Sequence, residues 1–490
     1  MRTKARLDCG CGRTLWMYSR VHLIDLRGLL TLHRSGVESR IRLAIIMIPM
    51  TNQLGPHEAV GYDGRSGAPV SRHYNIVWLL NCFNRADLPD GASLRYGHYA
   101  QQLTALGHRV HFLVPDWAFN LEYLRLLVEQ GAIAGFTQLS GYRASGTWNS
   151  LSRLCIHPGI RSRILRAFQK PQRNAILAAV QRQEADVFIF SERMHLFVIP
   201  ELRKHVSVLI DWTDSNILYS WRAAKRALLD VNPRGLALEL WSLAAKTPEE
   251  IYYTRQADAC IFVSPADKRV LDRLSGVPDR IHLLLNGVAM PVNPIQCEKV
   301  PDRIIFSGRM DFPPNYEAAL WFLDRVLPLV QKKRPAVHFV IAGACPVPAL
   351  RARATDRITI TGYVPDLLLE IAKSQVYVAP LVSGGGFKNK VVEAIAAGTY
   401  VVGTSYAAEA LKNELLNCVT VADSASGLAE AVLNALQNPG TLAPRIERAQ
   451  SILRRDFSWE GRAGELIAII DASRARREER RFPGTLNTSS

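Results

Sequence analysis

The sequence predicts an α/β protein of two Rossmann-like, doubly wound parallel-sheet domains facing a cleft. Three features of the 490 residues predict it. Short apolar runs alternate with helical stretches, a proline-bearing break divides the series, and glycine-marked loops follow strands in the second half. The length also favours two domains over one core. The first half opens at Tyr74, where residues 75–80 form a compact apolar run. A loop containing Pro89, Asp90 and Gly91 leads into a helical stretch to Leu106, Gly107-His108 stops it, and residues 109–114 are the next strand. That closes a βαβ unit with parallel strands. Apolar runs at 186–190, 206–210, 259–263 and 281–285 continue a domain spanning 73–293. Pro291, Pro294 and Pro301 mark the break, with 294–301 as the linker. Strands at 303–307, 338–342, 358–360, 376–379 and 400–403 build a second domain over 302–456. A helix over 457–473 is expected to return to the first domain, leaving 474–490 as a basic tail. Residues 1–72, with scattered Arg and Gly and turn-forming material at 61–69, are read as a poorly ordered extension, with Met47 and Met50 as alternative starts.

Composition removes several classes. Hydrophobic residues at 48% and charged residues at 21%, with 32 Gly and 26 Pro, fit neither a disordered nor a collagen-like chain. Of 8 cysteines only Cys9 and Cys11 lie close together, so no disulfide framework is expected and the reading is cytoplasmic. The apolar run at 43–50 is too short to cross a bilayer, and residues 1–30 alternate Arg with apolar residues instead of forming a signal peptide. A net charge of +16 and an isoelectric point near 9.6 favour anionic partners: nucleic acid, anionic lipid or nucleotide phosphate. Nucleic acid is the weakest of these, because the basic stretch at 474–481, like Arg351 and Arg353, has no interleaved aromatics.

Ligands of open parallel sheets bind beyond the carboxyl ends of the strands, so the loops after the second-half strands carry the argument. In Ser307-Gly-Arg-Met-Asp311, Gly308 permits close backbone approach and Arg309 offers a fork of donors suited to a diphosphate. A surface arginine in a turn is the equal alternative. In Pro380-Leu-Val-Ser-Gly-Gly-Gly-Phe-Lys-Asn-Lys390, Gly384, Gly385 and Gly386 bare backbone N–H groups ahead of a helix, and Lys388 and Lys390 add full charges. Strand, glycine loop and helix start together make an anion site, although the pattern is neither the Walker nor the dinucleotide fingerprint. Glu393, one turn into that helix, suits a ribose diol. Thr361-Gly-Tyr-Val-Pro365 either offers backbone groups to a flat heterocycle beside Tyr363 and Val364 or is an ordinary turn.

These residues carry a resemblance. Gly308-Arg309, Asn315, Gly343, Gly362-Tyr-Val364, Pro380, Gly384 to Gly386, Lys388, Lys390, Glu393-Ala394 and Gly398 resemble the C-terminal half of retaining, nucleotide-sugar-dependent GT-B glycosyltransferases of the group-one type, and among them exopolysaccharide-associated sugar transferases. Gly91, Arg95, Gly107-His108, Ser264 and Asn286-Gly-Val288 extend a looser likeness into the first half, over roughly 74–470. The resemblance implies a GT-B-like fold. It gives Arg309 and Lys388 or Lys390 the donor diphosphate, Glu393 the ribose, the Tyr363-Val364 backbone the base, and Gly384 to Gly386 the transferred sugar. It implies no metal and no cofactor, only a nucleotide-diphosphate sugar donor, UDP favoured and GDP the other candidate, with a glycan or lipid-linked acceptor. Three positions depart from the family pattern. Gly385 stands eight residues before Glu393, where a second glutamate is common. Pro314 replaces a lysine that often follows the Gly-Arg loop. The histidine often found after a first-domain strand is not evident, and Asp214 occupies a comparable loop. Asp214 is read either as the catalytic polar group, with Arg309 and Lys388, or as a helix N-cap before Ile217.

Residues 153–182 combine Arg153, Arg161, Arg163, Arg166, Lys170, Arg173 and Arg182 with apolar residues and no acid. Such a helix either lies on an anionic membrane or packs on the sheet with solvated arginines. The enzyme reading therefore includes peripheral contact with the inner face of the cytoplasmic membrane. A catalytically silent GT-B-fold nucleotide-binding or scaffold protein and a nucleotide-sugar epimerase are the alternatives.

Overall fold

The computed structural model describes residues 72–80, 91–115, 121–140, 157–411 and 413–481. The readings made for residues 1–71, for the loop at Pro89 and Asp90, for Arg153 and for 482–490 lie outside the described residues.

In the first domain, strands β1 Asn75–Leu80, β2 Arg109–Pro115, β3 Gly135–Leu139, β4 Val187–Ser191, β5 Ser207–Thr213, β6 Ala259–Phe262 and β7 Ile281–Leu283 alternate with helices. These are α1 Gly91–Ala105, α2 Leu121–Glu129, α3 Pro158–Phe168, α4 Lys170–Arg182, α5 Ile199–Leu202, α6 Asn216–Leu229, α7 Pro233–Gln256 and α8 Pro265–Ser275. Among the described residues the sheet runs β3-β2-β1-β4-β5-β6-β7, every pair parallel. The period-two alternation of a strand buried on both faces is visible in β1: Ile76, Trp78 and Leu80 enter one core cluster, Val77 and Leu79 the other.

The second domain holds β8 Val300–Ser307, β9 His338–Ala342, β10 Ile358–Gly362, β11 Ser374–Ala379, β12 Tyr400–Gly403 and β13 Thr420–Val421 in the order β10-β9-β8-β11-β12-β13, again parallel. Its helices are α9 Pro313–Trp321, α10 Leu327–Lys333, α11 Pro348–Arg351, α12 Leu367–Ala372, α13 Asn389–Ala396, α14 Ser405–Ala408, α15 Asn413–Leu416, α16 Ala425–Gln437, α17 Pro439–Asp456 and α18 Trp459–Arg481. Strand order reverses between β1 and β4 in one sheet and between β8 and β11 in the other, the crevice where such folds take ligands.

Several boundaries differ from the sequence reading for identifiable reasons. Strand β3, with Gly135, Thr137 and Gln138, has no apolar run to betray it, and β13 is only two residues long. Strand β8 starts at Val300, pairing with Ser374, so the end of the 294–301 stretch is sheet. Helix α18 does not stop near 473. Ala463, Leu466, Ile469 and Ile470 pack with Tyr74, Ile76 and Trp78. Its last turns stay anchored because Arg474 meets Asp186 at 2.6 Å, Arg476 donates to the Asp258 and Asp279 carbonyls, and Arg480 pairs with Asp258. The arginines read as a solvated tail thus fasten a helix to the first domain.

The basic stretch at 158–182 is likewise two helices broken at Gln169, with Leu165, Ile176 and Val180 buried. Arg161 is buried and paired with Glu249 at 2.6 Å, while Arg166 and Arg173 both face Glu201. Much of its charge is spent inside the fold. Among the described residues no helix is long and apolar enough to cross a membrane.

Candidate anion site in the interdomain cleft

The loops after β8 and β11 meet at the reversal of strand order, and local chemistry shapes both. Gly308, at φ 150°, lies so close to its neighbours that a Cβ there would stand 2.7 Å from both the Asn315 amide and Lys390 Nζ. The loop after β9 lies against it: Gly343 N–H donates to the Gly362 carbonyl at 2.9 Å, and Gly308 N–H to the Ala342 carbonyl at 3.0 Å. The β8, β9 and β10 loops therefore present one continuous backbone floor. Val364 packs on the core beneath it and Tyr363 stands half exposed at its edge.

Helix α13 begins directly after the glycine loop, with Lys388 in the capping position. Lys388 Nζ donates to the Gly385 and Gly386 carbonyls, and Lys390 Nζ donates to Asn315 Oδ1 and sits 4.8 Å from the Phe306 ring centre. Burial lowers the Lys388 pKa, against the pull of Asp214. Burial, reinforced by Lys388, brings Lys390 down to about 7. Two buried ammonium groups at a helix amino end attract negative charge, and Asp214 acts on Lys388 as Glu393 does on Lys390. Burial raises the Glu393 pKa and Lys390 opposes the rise.

The first domain contributes Asp214. Thr213 adopts φ 60°, uncommon for a β-branched residue, and the tight turn closes through Asp214 N–H to the Trp212 carbonyl at 2.7 Å. This turn lifts Asp214 off β5 and against the glycine loop, where a Cβ on Gly386 would lie 2.1 Å from Asp214 Oδ1. Ser215, not Asp214, caps α6 by accepting from Ile217 N–H at 3.2 Å, which removes the N-cap reading. Asp214 Oδ1 is buried without a hydrogen-bond partner among the described residues, and burial followed by the nearby Asp267 raises its pKa to about 6.

Arg309 is held by a neighbour on its own loop. Its guanidinium forms a two-pronged pair with Asp311 through Nε and Nη2, at 2.7 and 2.9 Å, so that carboxylate competes with a diphosphate for its charge. The aspartate two residues on was the available signal. The sequence also left unassigned a relay between the domains. Buried Arg95 contacts Asp211 at 3.2 Å and Asn286, whose amide donates to Asn389 at the start of α13 at 2.8 Å. On the other flank Arg222 of α6 reaches Glu409 at 3.0 Å and the Gly384 carbonyl at 3.3 Å. His195, after β4, is fully buried and bound to Glu192 at 3.0 Å. A cavity of about 1010 Å³ lies to one side, between Pro265, Arg269 and Leu283 of the first domain and Glu409 and Leu411 of the second. Its lining contains none of the anion-site residues.

Two parallel-sheet domains, each with a reversal of strand order, have the architecture of the GT-B fold. Residues 301–438 match the family described as glycosyl transferases group 1. The phosphatidyl-myo-inositol mannosyltransferase of Mycolicibacterium smegmatis is 28% identical over 175 residues, 34% of this chain and 44% of the relative. The chain thus spans less than half the length of the curated relatives it matches. The structure of HepE from Anabaena in complex with UDP-glucose superposes with a TM-score of 0.56 at 13% identity, over 81% of this chain and 99% of that one. TarM gives 0.58 at 11% identity, over 82% and 99%. These likenesses establish the fold.

Proposed function

We propose that the protein transfers a sugar from a nucleotide-diphosphate donor to a hydroxyl of a glycan or lipid-linked acceptor, with retention of anomeric configuration, in building cell-surface or exopolysaccharide material. The observation that carries this reading is that the amino end of α13, within the residues matched to the group 1 family, carries two buried lysines, Lys390 against Gly308 and Lys388 against the glycine loop. A diphosphate there would receive backbone N–H groups, the helix end and both ammonium charges, which stabilise negative charge as it develops on a leaving group. The bond from the anomeric carbon to the diphosphate oxygen breaks, the acceptor oxygen bonds to that carbon, and the acceptor proton passes to a departing phosphate oxygen. Lys388 acts on the leaving diphosphate, and Arg309 joins it in competition with Asp311.

Asp214 faces the loop assigned to the transferred sugar, and its carboxylate is placed to balance positive charge on the sugar ring. Glu393 takes the ribose, and the Tyr363-Val364 backbone takes the base. Charge neutralisation is assigned to lysines and the helix end, not to a metal. The UDP-glucose held by the similar HepE supports a UDP-sugar, with a GDP-sugar the other candidate. The lipid named for the mannosyltransferase relatives supports a lipid-linked acceptor and hence work at the inner face of the cytoplasmic membrane.

Thermal denaturation with UDP, GDP, ADP and CMP tests the donor site, since a ligand bound only by the folded state raises its stability with the logarithm of its affinity. One nucleotide is expected to raise the melting temperature, and Lys388→Ala with Lys390→Ala is expected to abolish the shift. No shift with any of them would overturn the assignment.

A further inference from the structure

The large apolar side chains exposed among the described residues are unevenly placed. Trp221, Leu228, Leu229, Val231, Leu238 and Trp241 all lie on the hairpin of α6 and α7, with exposures from 49% for Trp241 to 85% for Val231. Both exposed tryptophans of the described residues are among them. The hairpin itself is well made. Ala224, Ala227 and Ala245 are buried, Ser220 and Ser242 hydroxyls meet at 3.0 Å, and Asn232 caps α7 by accepting from Gly235 N–H at 2.9 Å. Val231 at the turn holds φ 51°, a costly conformation for a β-branched residue, and its side chain is spent on solvent.

Charge decides what such a surface fits. Arg226 is neutralised by Asp230 at 2.6 Å, while Lys225 and Arg234 stand exposed beside the apolar tip. Tryptophan and leucine flanked by Lys and Arg is the pattern of a segment seated in a bilayer interface, where rings and stems lie among acyl chains and cations meet anionic headgroups. With Lys225, Arg226 and Arg234 against Asp230 and Glu239 the tip keeps a positive balance, so two copies tip to tip would repel and anionic lipid is the better complement. The root of the hairpin points to the same use. Arg222 of α6 holds the Gly384 carbonyl and Glu409, and the helix then runs roughly 10 Å, at 1.5 Å per residue, to Leu229 at the tip.

We infer that the α6–α7 hairpin docks the protein on an anionic lipid bilayer, presenting the cleft to an acceptor carried by that surface. The purpose assigned to the docking rests on the glycosyl-transfer reading; the docking itself does not. The test is sedimentation of the full chain with vesicles of phosphatidylcholine alone and of equal parts phosphatidylcholine and phosphatidylglycerol, with brominated lipid as a quencher of tryptophan fluorescence. Binding to the mixed vesicles is expected to be at least about tenfold tighter than to phosphatidylcholine. Leu228→Ser with Leu229→Ser, and separately Lys225→Glu with Arg234→Glu, should each lose at least about tenfold, and Trp241→Phe should reduce the quenching.

Equal affinity for both vesicles, or binding that both pairs leave unchanged, would overturn the inference. So would variants that turn a dimer into a monomer, giving the face to a second copy, or hydrogen-exchange protection of the tip in the isolated chain, giving it to another segment. The nucleotide-induced thermal shift separates the two readings. If it persists without vesicle binding, docking alone fails; if vesicle binding persists without it, the donor reading alone fails.

Discussion

Asp214 concentrates the chemistry into one testable residue. Its pKa of about 6 stands above the ordinary 3.8 because burial, then Asp267, disfavours the charged form. The folded chain therefore binds this proton more tightly than the unfolded chain. Stability from the group is complete at acid pH and is lost as pH rises from about 4 to about 6, a difference of roughly 2–3 kcal/mol. Asp214→Asn, which stays neutral, is expected to match or exceed the parent in melting temperature at pH 7 and to lose that dependence, while turnover falls at least about a hundredfold. A scan of melting temperature against pH for both proteins checks it, and a less stable variant would mean that the carboxylate is structural. Lys390 gives the complementary case with the opposite sign. With its pKa lowered to about 7, it loses charge as pH rises past neutrality, so the affinity for a UDP-sugar should weaken by up to about tenfold per pH unit above 7. Calorimetric titration of UDP-glucose at several pH values reads this, and Lys390→Arg should flatten the profile because a guanidinium keeps its proton.

At the scale of elements, what was legible in the sequence was whatever is local. Gly384 to Gly386, two lysines and a helix start lie within a dozen residues, so strand, glycine loop and helix could be read together, and the structure sets Lys390 beside Gly308 and Lys388 against the Gly385 and Gly386 carbonyls. The turn at Thr213 was not legible, since nothing in Asp211-Trp-Thr-Asp214 announces a positive φ at a threonine. The relay from Arg95 through Asn286 to Asn389 joins residues far apart in sequence, and no spacing encodes it. The same limit explains α18: its apolar positions were readable, but the acids that hold its last turns, Asp186 and Asp258, lie more than 200 residues earlier in the chain. Gly386 tests how far the loop geometry matters. It adopts φ 72° against Asp214, so Gly386→Ala imposes both a strained backbone and a collision. It should destabilise the protein by about 1–3 kcal/mol and weaken nucleotide binding with it, read by denaturant unfolding and the thermal shift. Gly440→Ala in α17, outside the loop and with a Cβ that meets nothing within 4 Å, is the control expected to leave nucleotide binding near the parent value.

For the whole molecule the decisive feature is that the two domains touch across the site itself. Asp214 lies against Gly386, Asn286 holds Asn389, and Arg222 grips Glu409 and Gly384, so a donor sugar can pass between Asp214 and the glycine loop only if the domains part. These contacts set the balance between the closed cleft that completes the site and the open one that admits the donor. Arg222 is a positioning residue in that balance. It has no assigned contact with the reacting atoms, but its charge is partly desolvated and shared with Glu409. Arg222→Ala and Glu409→Ala should each shift the population toward the open form, seen as a larger radius of gyration in X-ray scattering, and each should raise KM for the donor more than it lowers kcat. Because the residues act as a pair, the double variant should cost little more than either single one, with a coupling of about 1–3 kcal/mol in donor affinity. Additive losses would place the two residues on separate tasks and return the closing contact to Asn286 and Asn389 alone.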